Sequence, residues 1–562
     1  MRANPLGFAL ACAGAIAIVA CCSPGRKSGP ATGKETTFTL VALGELRGQI
    51  EPCGCTTDPL GDLARTAKLV AEARGRGPVV VVDSGSLLYT QAVVPAHMKA
   101  QEELKADLLA RVYKDDLQVA ALGLGPNDLA SGPGNVRLPR QVANLPAGGP
   151  VAVAAPGLVA VGNETIGVLG VTDPALLPGL GATGSVAAAR AAVTDLRGRG
   201  AARIVAVATM DRKAAVSLAR EVPGIDIMVV GLGLQAPAPD AVRARAEQVG
   251  DTWMVFPTDR GQVVSKFEIT LRPGGGPLVD AIGPAAADDR RAELAARIAT
   301  LDEALARFAQ DPSADPTFVD QQQRERAALA AEQAALADQP LRIPAAGSYF
   351  QLAQVRIAKA LACDTDVVAE KQAYARAAGQ ANVEAAKAVP VKPVPPGTAT
   401  FVGVDECANC HTEAVEFWKR TRHAGAWETL EQVDKQFDYD CTSCHVTGWD
   451  QPGGATMAAN APLRDVQCET CHGPGSLHVD AADDATARRT IVRSPAPELC
   501  AGQCHTKDHS DTFDYTAYLR DIVGPGHGAA RRQAIGDGPT GRQLRAAGLE
   551  KAGKAIGAGC PK

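Results

Sequence analysis

At 562 residues the chain is too long for one ordinary domain, and with 46% hydrophobic but only 4% aromatic residues its cores must be built from Val, Leu, Ile and Ala. A formal charge of −5, spread without long blocks of one sign, leaves no basic footprint for nucleic acid.

The N-terminus reads as a targeting segment. Arg2 supplies a positive start, and Leu6 to Ala20 is an apolar run too short to span a bilayer as an anchor. The next residues, Ile18-Val19-Ala20-Cys21, resemble a bacterial lipoprotein box, which implies removal of 1–20, a lipid on Cys21 and a polar tether over 21–35. Later stretches are not long and apolar enough to span.

From residue 36 to 275 strands and helices alternate. Strands are expected at Phe38–Leu43, Pro78–Asp83, Gln118–Leu122, Thr165–Val171, Arg203–Ala208 and Ile225–Val230. Helices are expected at Leu60–Arg74, near Met98–Lys114, at Val186–Gly198 and at Arg212–Val222, giving an α/β layer with a largely parallel central sheet. Thr252–Pro257 and Val263–Leu271 read as closing antiparallel strands.

Ligands in such sheets gather at the carboxyl ends of strands. Those ends read Gly44-Glu45-Leu46-Arg47-Gly48, Asp83-Ser84-Gly85-Ser86, Gly123–Asp128 and Gly231-Leu232-Gly233-Leu234, supported by Gly61-Asp62-Leu63-Ala64-Arg65. In order and spacing they resemble the nucleotidase branch of the calcineurin-like metallophosphoesterases, which implies a sandwich fold. That family holds two metals through Asp-x-His, Gly-Asp, Asn-His and Gly-His-x-His. Here the matching positions read Gly44-Glu45-Leu46, Gly85-Ser86, Asn127-Asp128 and Gly231-Leu232-Gly233-Leu234, and His97 is the only histidine of the domain, on a predicted helix. Imidazole and carboxylate are what such metals need. The expectation is a retained fold without a dinuclear site and without phosphoesterase activity, so no catalytic residue is assigned. Asp83, Asn127 and Asp128 read as remnants, or as the turn and capping residues that such positions favour.

Residues 285–388 change character. Arg290–Gln310 and Val319–Ala337 carry apolar residues at three- and four-residue spacing around Asp311-Pro312-Ser313-Ala314-Asp315-Pro316, which predicts a helical hairpin. Further helices are expected near Gln351–Leu361 and Thr365–Lys387. Pro390, Pro393, Pro395 and Pro396 make 389–400 a semi-rigid linker.

Beyond the linker, residues 401–530 concentrate the chemistry, with a tail over 531–562. Three segments fit C-x-x-C-H: Cys407/Cys410/His411, Cys441/Cys444/His445 and Cys468/Cys471/His472. A fourth, Cys500/Cys504/His505, has one residue more between its thiols. Two thiols on one turn can add to the vinyl groups of a haem while the next imidazole ligates its iron. Structural zinc would need the pairs to combine two by two and would leave four trailing histidines without a reason. A disulfide framework is the other alternative in an exported chain. Four of the nine histidines close the motifs, and His423, His478, His509 and His527 would suffice to give every iron a second imidazole.

The words between the motifs, notably Phe401-Val402-Gly403, Trp418, Arg422-His423-Ala424, Cys471-His472-Gly473-Pro474-Gly475-Ser476-Leu477-His478 and His505-Thr506-Lys507-Asp508-His509, resemble tetrahaem cytochromes of the ammonia-oxidation type. The resemblance implies a mainly α and irregular multihaem domain with four closely packed haem c groups.

Of fifteen cysteines, Cys22, Cys53, Cys55, Cys363 and Cys560 remain after the leader cysteine Cys12, Cys21 and the eight motif thiols, and a bond from Cys53 or Cys55 to Cys363 is one pairing the count allows. The expected protein is an exported, lipid-anchored multihaem cytochrome facing the periplasm or cell surface. It would pass electrons to redox partner proteins, with the α/β domain as scaffold or docking module. A multihaem oxidoreductase acting on a small nitrogen or sulfur compound, and a metal-dependent phosphoesterase fused to a cytochrome, are the alternatives.

Overall fold

A computed structural model describes residues 34–52, 56–233, 242–243, 245–310, 315–389, 392–507, 509–551 and 560. The expected leader, Cys21, Cys22, the Cys53-Gly54-Cys55 turn and Leu234 lie outside the described residues. Among the described residues no helix is long and apolar enough to cross a membrane.

Strand β1 (Thr36–Leu43) sorts its side chains by the period of two that a pleated strand imposes. Phe38, Leu40 and Ala42 face one core, and Val41 and Leu43 face another. The second core is closed by helices α1 (Leu63–Arg74) and α2 (Lys99–Asp115), which flank β2 (Val79–Asp83) on either side in sequence. Asp62 caps α1, accepting from the Ala64 and Arg65 amides. The Gln118–Leu122 expectation shrinks to β3 (Ala121–Leu122).

After the short pair β4 (Arg140–Gln141) and β5 (Val153–Ala154), a second sheet is built. It comprises β6 (Gly157–Val161), β7 (Glu164–Thr172), β8 (Arg203–Thr209), β9 (Ile227–Gly231), β10 (Glu247–Val249) and β11 (Thr252–Val255). Helices α3 (Ser185–Gly198) and α4 (Arg212–Glu221) cover its outer face through Leu196, Leu218 and their neighbours. The first sheet gains β12 (Val263–Leu271) and β13 (Val279–Asp280). The long hairpin α5 (Pro284–Phe308) and α6 (Pro316–Asp338) then intervenes before β14 (Tyr349–Arg356) and α7 (Thr365–Lys387).

The strand orders are β13-β14-β12-β1-β2-β3 and β10-β11-β9-β8-β7-β6. The result is two six-stranded mixed sheets packed face to face, with Phe38, Val205, Val229, Phe267 and Phe350 between them and helices outside. This is the α/β sandwich that the resemblance implied; only the single, largely parallel sheet changes, to two mixed sheets, because valine runs show that a strand is buried on both faces and not which sheet it joins.

Two further expectations change. β11 runs parallel to β9 and antiparallel only to β10. The helix expected over Gln351–Leu361 is strand β14, paired antiparallel with β12 from Thr270↔Tyr349 to Val263↔Arg356. Phe350 and Leu352 point inward while Gln351, Ala353 and Gln354 are partly exposed, an alternation that the polar spacing hides in sequence.

Beyond residue 400 the chain forms short helices around a small cluster of Trp427, Val446, Ala455 and Leu463. This part lies against α2 and α7, as Gln101 and Asn382 hydrogen-bond the segment Phe437–Tyr439. His97, in a short 3-10 turn leading into α2, meets Tyr439 edge to face at 4.9 Å. Cys363 is bonded to Cys560 and not to Cys53 or Cys55, so Cys560 returns to the α/β module.

Candidate functional site

Each cysteine motif is carried by one short helical turn. Cys407 lies in α8 (Val404–Ala408), ahead of α9 (Thr412–Trp418) and α10 (Ala426–Glu431). Cys441 lies in α11 (Tyr439–Thr442), and α12 (Cys468–His472) is the third motif itself. The helices α13 (Ser476–Val479) and α14 (Asp484–Ala487) precede α15 (Pro497–Gln503), which holds Cys500. In the first motif the His411 amide donates to the Cys407 carbonyl (2.9 Å); in the fourth the His505 amide donates to Cys500 (2.8 Å), one residue further back. The extra residue is thus absorbed as a wider turn, a single-turn bulge of the π type.

The turns are fastened by residues that sequence reasoning did not single out. Glu469, inside the third motif, is buried and accepts from the amides of Val402 (3.0 Å), Gly403 (2.8 Å) and Gly475 (2.7 Å). Gln467 accepts from Val404 and donates to Pro462 and Arg464. Their only sequence signal is a polar residue next to or within a motif, which most motifs carry.

The imidazoles show a consistent second-atom arrangement. Nδ1 of His445 contacts the Ala426 carbonyl (2.5 Å), Nδ1 of His472 the Val492 carbonyl (2.6 Å) and Nδ1 of His478 the Ala487 carbonyl (2.9 Å). A carbonyl only accepts, so each Nδ1 carries the proton and each Nε2 keeps its lone pair for a metal. Nδ1 of His505 meets Ser510 Oγ at 3.2 Å, and Nδ1 of His509 meets Thr506 Oγ1 at 2.8 Å.

Two pairs of rings stand apart at a telling distance. His411 and His478 have centroids 6.2 Å apart with planes at 20°, and His423 and His505 are 6.3 Å apart at 40°. Two imidazoles sharing one metal ion, each nitrogen about 2 Å from it with the ring centre roughly 1.2 Å behind, would be separated by about 6.3 Å. Burial, with His505 adding to it, pushes the His423 imidazole down to about 4, so the ring is neutral as a ligand must be. Burial lowers His445 and His505 as well. Among the described residues His445, His472, His509 and His527 are in no ring contact with a second imidazole. His527 is nevertheless lowered by burial and by the neighbouring His472 and His411, and its buried Nδ1 has no hydrogen-bond partner.

The thiols also converge between motifs. Cys468 raises the Cys407 thiol and Cys407 lowers that of Cys468, while Cys407 Sγ donates to the Gly403 carbonyl (3.5 Å). Cys444 likewise raises Cys504 and is lowered by it, while Cys444 Sγ donates to the Gln503 carbonyl (3.5 Å). Burial raises the Cys471 thiol, with Cys500 and Cys468 beside it contributing. A cavity of about 570 Å³ opens between Cys444, Cys471 and Cys504, walled by Phe401, Trp449 and Leu499. That volume is within the range of cofactor pockets. Ring spacing, free Nε2 atoms and a thiol-lined cavity together fit haem attached through cysteine pairs.

Residues 406–473 match the family described as cytochrome c554 and c-prime. This segment is a cytochrome c554 domain. The cytochrome c-554 of Nitrosomonas europaea is 40% identical over 93 residues, covering 14% of this chain and 40% of that protein. The chain thus spans less than half the length of the curated relative it matches. The α/β module has neighbours among solved structures. A 5'-nucleotidase precursor from Thermus thermophilus is 20% identical over 43% of this chain and 53% of its own, with a TM-score of 0.35. The calcineurin-like phosphoesterase YfkN from Bacillus subtilis is 18% identical over 43% and 88%, also with a TM-score of 0.35.

The strand ends of that module are committed to internal contacts. Asp83 accepts from Gly85 N (2.7 Å) and Tyr113 Oη (2.8 Å). Asp128 accepts from the amides of Ser86, Leu87, Leu88 and Gly125 and pairs with buried Arg140, while Asn127 donates to the Tyr89 carbonyl. Glu45 pairs with Arg47 and accepts from Gly233. A Cβ on Gly231 would come within 2.6 Å of Ser84 Oγ and 2.8 Å of Glu45 Oε1, so this end of the sandwich is already filled. Among the described residues no three His, Cys, Asp or Glu side chains converge as a metal cage.

Proposed function

We propose that this chain is an exported, lipid-anchored c-type cytochrome that passes electrons between redox partner proteins, with the α/β module as its scaffold. The observation that carries the reading is the pair of imidazole couples, His411 with His478 and His423 with His505, at 6.2 and 6.3 Å. Haem c, when bound, supplies an iron that alternates between two oxidation states.

The chain's own residues hold four such groups. Cys407 and Cys410, Cys441 and Cys444, Cys468 and Cys471, and Cys500 and Cys504 are the attachment thiols. His411, His445, His472 and His505 are the motif ligands, and His478 and His423 complete the first and fourth. His527 is assigned to the third through its closeness to His472. His509 was expected as a distal ligand from the sequence; its ring lies against Thr506, and it keeps that role only as part of this proposal.

Export and anchoring at Cys21 rest on the leader pattern, and the oxidised Cys363–Cys560 pair is consistent with life outside the cytoplasm. One observation favours a second reading, an oxidoreductase acting on a small nitrogen or sulfur compound: His445 has no imidazole in ring contact among the described residues, which would leave an open face there.

The full chain expressed in a host with cytochrome c maturation tests both. Intact mass should show four covalent haems, and fewer than three sinks the relay. His478→Ala should turn one low-spin signal in low-temperature EPR into a high-spin one. A spectral change in the wild type on adding cyanide or nitrite selects the second reading.

A further inference from the structure

The least expected feature of the haem region is where its second motif is anchored. The turn Phe437–Cys441 is held from the α/β module as well as from the cytochrome segment, where Phe437 meets Trp427 and Tyr439 meets Trp449. Gln101 on α2, fully buried, donates to Asp438 Oδ1 (2.9 Å) and accepts from the Tyr439 amide (3.1 Å). Asn382 on α7, also fully buried, donates to Gln101 Oε1 (2.7 Å) and to the Phe437 carbonyl (2.9 Å). Backbone bonds carry this grip onward, from the Asp438 amide to Lys435 O and from the Cys441 amide to Asp438 O.

Charge crosses the same seam. Lys435 Nζ sits 3.2 Å from Glu51 and 3.2 Å from Asp438, with the Tyr374 ring of α7 at 5.7 Å. Glu51 is shared with Lys371 (3.5 Å), itself 2.9 Å from Asp62 at the cap of α1. Glu102 and Lys105 of α2 pair beside Gln101. Burial raises the Cys441 thiol, with Asp438, Asp440 and Glu51 adding to it and Lys435 opposing.

We propose that Glu51 and Lys435 are positioning residues that set the reduction potential of the group attached at Cys441 and Cys444, making that haem the one whose potential is governed by the α/β module. Oxidation adds positive charge to a haem, so a nearby anion favours the oxidised form and lowers the potential, and a nearby cation raises it. Glu51 belongs to the α/β module and, among the described residues, is the ion-pair partner that this module contributes to Lys435. The inference rests on the proposed function in one respect, that Cys441 and Cys444 carry haem.

The experiment is a potentiometric titration of the full holoprotein, with the wave of this haem identified by its loss in a Cys441→Ala/Cys444→Ala variant. Glu51→Gln should shift that wave upward and Lys435→Gln should shift it downward. The double variant should return towards the wild type, Lys435→Arg should match it, and the other waves should stay in place. Shifts of the same sign from both single variants, shifts spread over all waves, or none at all overturn the inference. A haem mass on the peptide containing Cys441 and Cys444 separates these outcomes from failure of the function itself. If that peptide carries no haem, the assignment of the second motif falls and this inference with it.

Discussion

Glu45 shows how the end of β1 is occupied. It is fully buried, and burial pushes its carboxyl up to about 7 although Arg47 and the Gly233 amide pull it back. With a folded value above the ordinary 4.5, the folded chain keeps a proton that the unfolded chain releases between about pH 4.5 and 7. Its stabilising contribution is therefore full below about pH 4.5 and is lost as pH rises to about 7. Glu45→Gln keeps an acceptor for Gly233 and removes the titration, while Arg47 retains the Gly233 carbonyl at 3.0 Å and Asp259 at 3.5 Å. Relative to wild type the variant should gain roughly 1–3 kcal/mol more at pH 8 than at pH 5 in urea unfolding. An equal offset at both pH values would refute the assignment. The sequence displays Asp128 in the loop after β3, but not that it would serve four backbone amides, because the loop that presents most of those amides lies some forty residues away.

Among elements, those read correctly are the ones with a long apolar period or a strongly β-branched run, the latter including β1 and β12, which pair with each other from opposite ends of the module. The helices α3, α4 and α7 and both arms of the α5–α6 hairpin repeat their apolar residues over many turns, so the pattern identifies them. β14 does not. Its eight residues follow a 23-residue helix and pair with β12, about 80 positions earlier, so only tertiary context decides between strand and helix. That assignment has an energetic consequence. Phe350 is fully buried between the sheets, edge to face with Trp253 at 5.1 Å and Phe267 at 5.3 Å. Phe350→Ala should cost about 3–5 kcal/mol in chemical unfolding, as the loss of a buried aromatic ring does. Were the segment a surface helix, the cost would be under about 1 kcal/mol. In the cytochrome region the four cysteine–histidine motifs stand out in the sequence by their nearly fixed spacing. The helices there do not, since most are one or two turns long and are set by contacts such as Glu469 with three amides outside its own turn.

At the scale of the whole molecule, the chain leaves the α/β module after α7, forms the cytochrome region and comes back. Cys363, just before α7, is bonded to Cys560 across 197 residues, and the Cys560 side chain packs against the core containing Val70, Val112 and Val367. All four cysteine motifs lie inside this loop. Other contacts cross the same boundary, among them the Thr57 amide with Asp511 (3.1 Å) and Arg376 with Asp434 (3.6 Å), but these are exposed and individually worth little. The disulfide differs because it restricts the unfolded chain, and a long loop loses the most entropy when closed. Cys363→Ser should therefore lower the unfolding free energy by roughly 2–4 kcal/mol. A reductant that opens the bond should lower the wild-type transition by the same amount in calorimetry and leave the variant unchanged. With haem attached as proposed, its room-temperature spectrum should be the same in both, because the imidazole couples His411/His478 and His423/His505 lie away from the clasp. A variant that unfolds like the wild type would mean that the buried seam of Gln101, Asn382 and Lys435 already supplies the order that the covalent bond was thought to add.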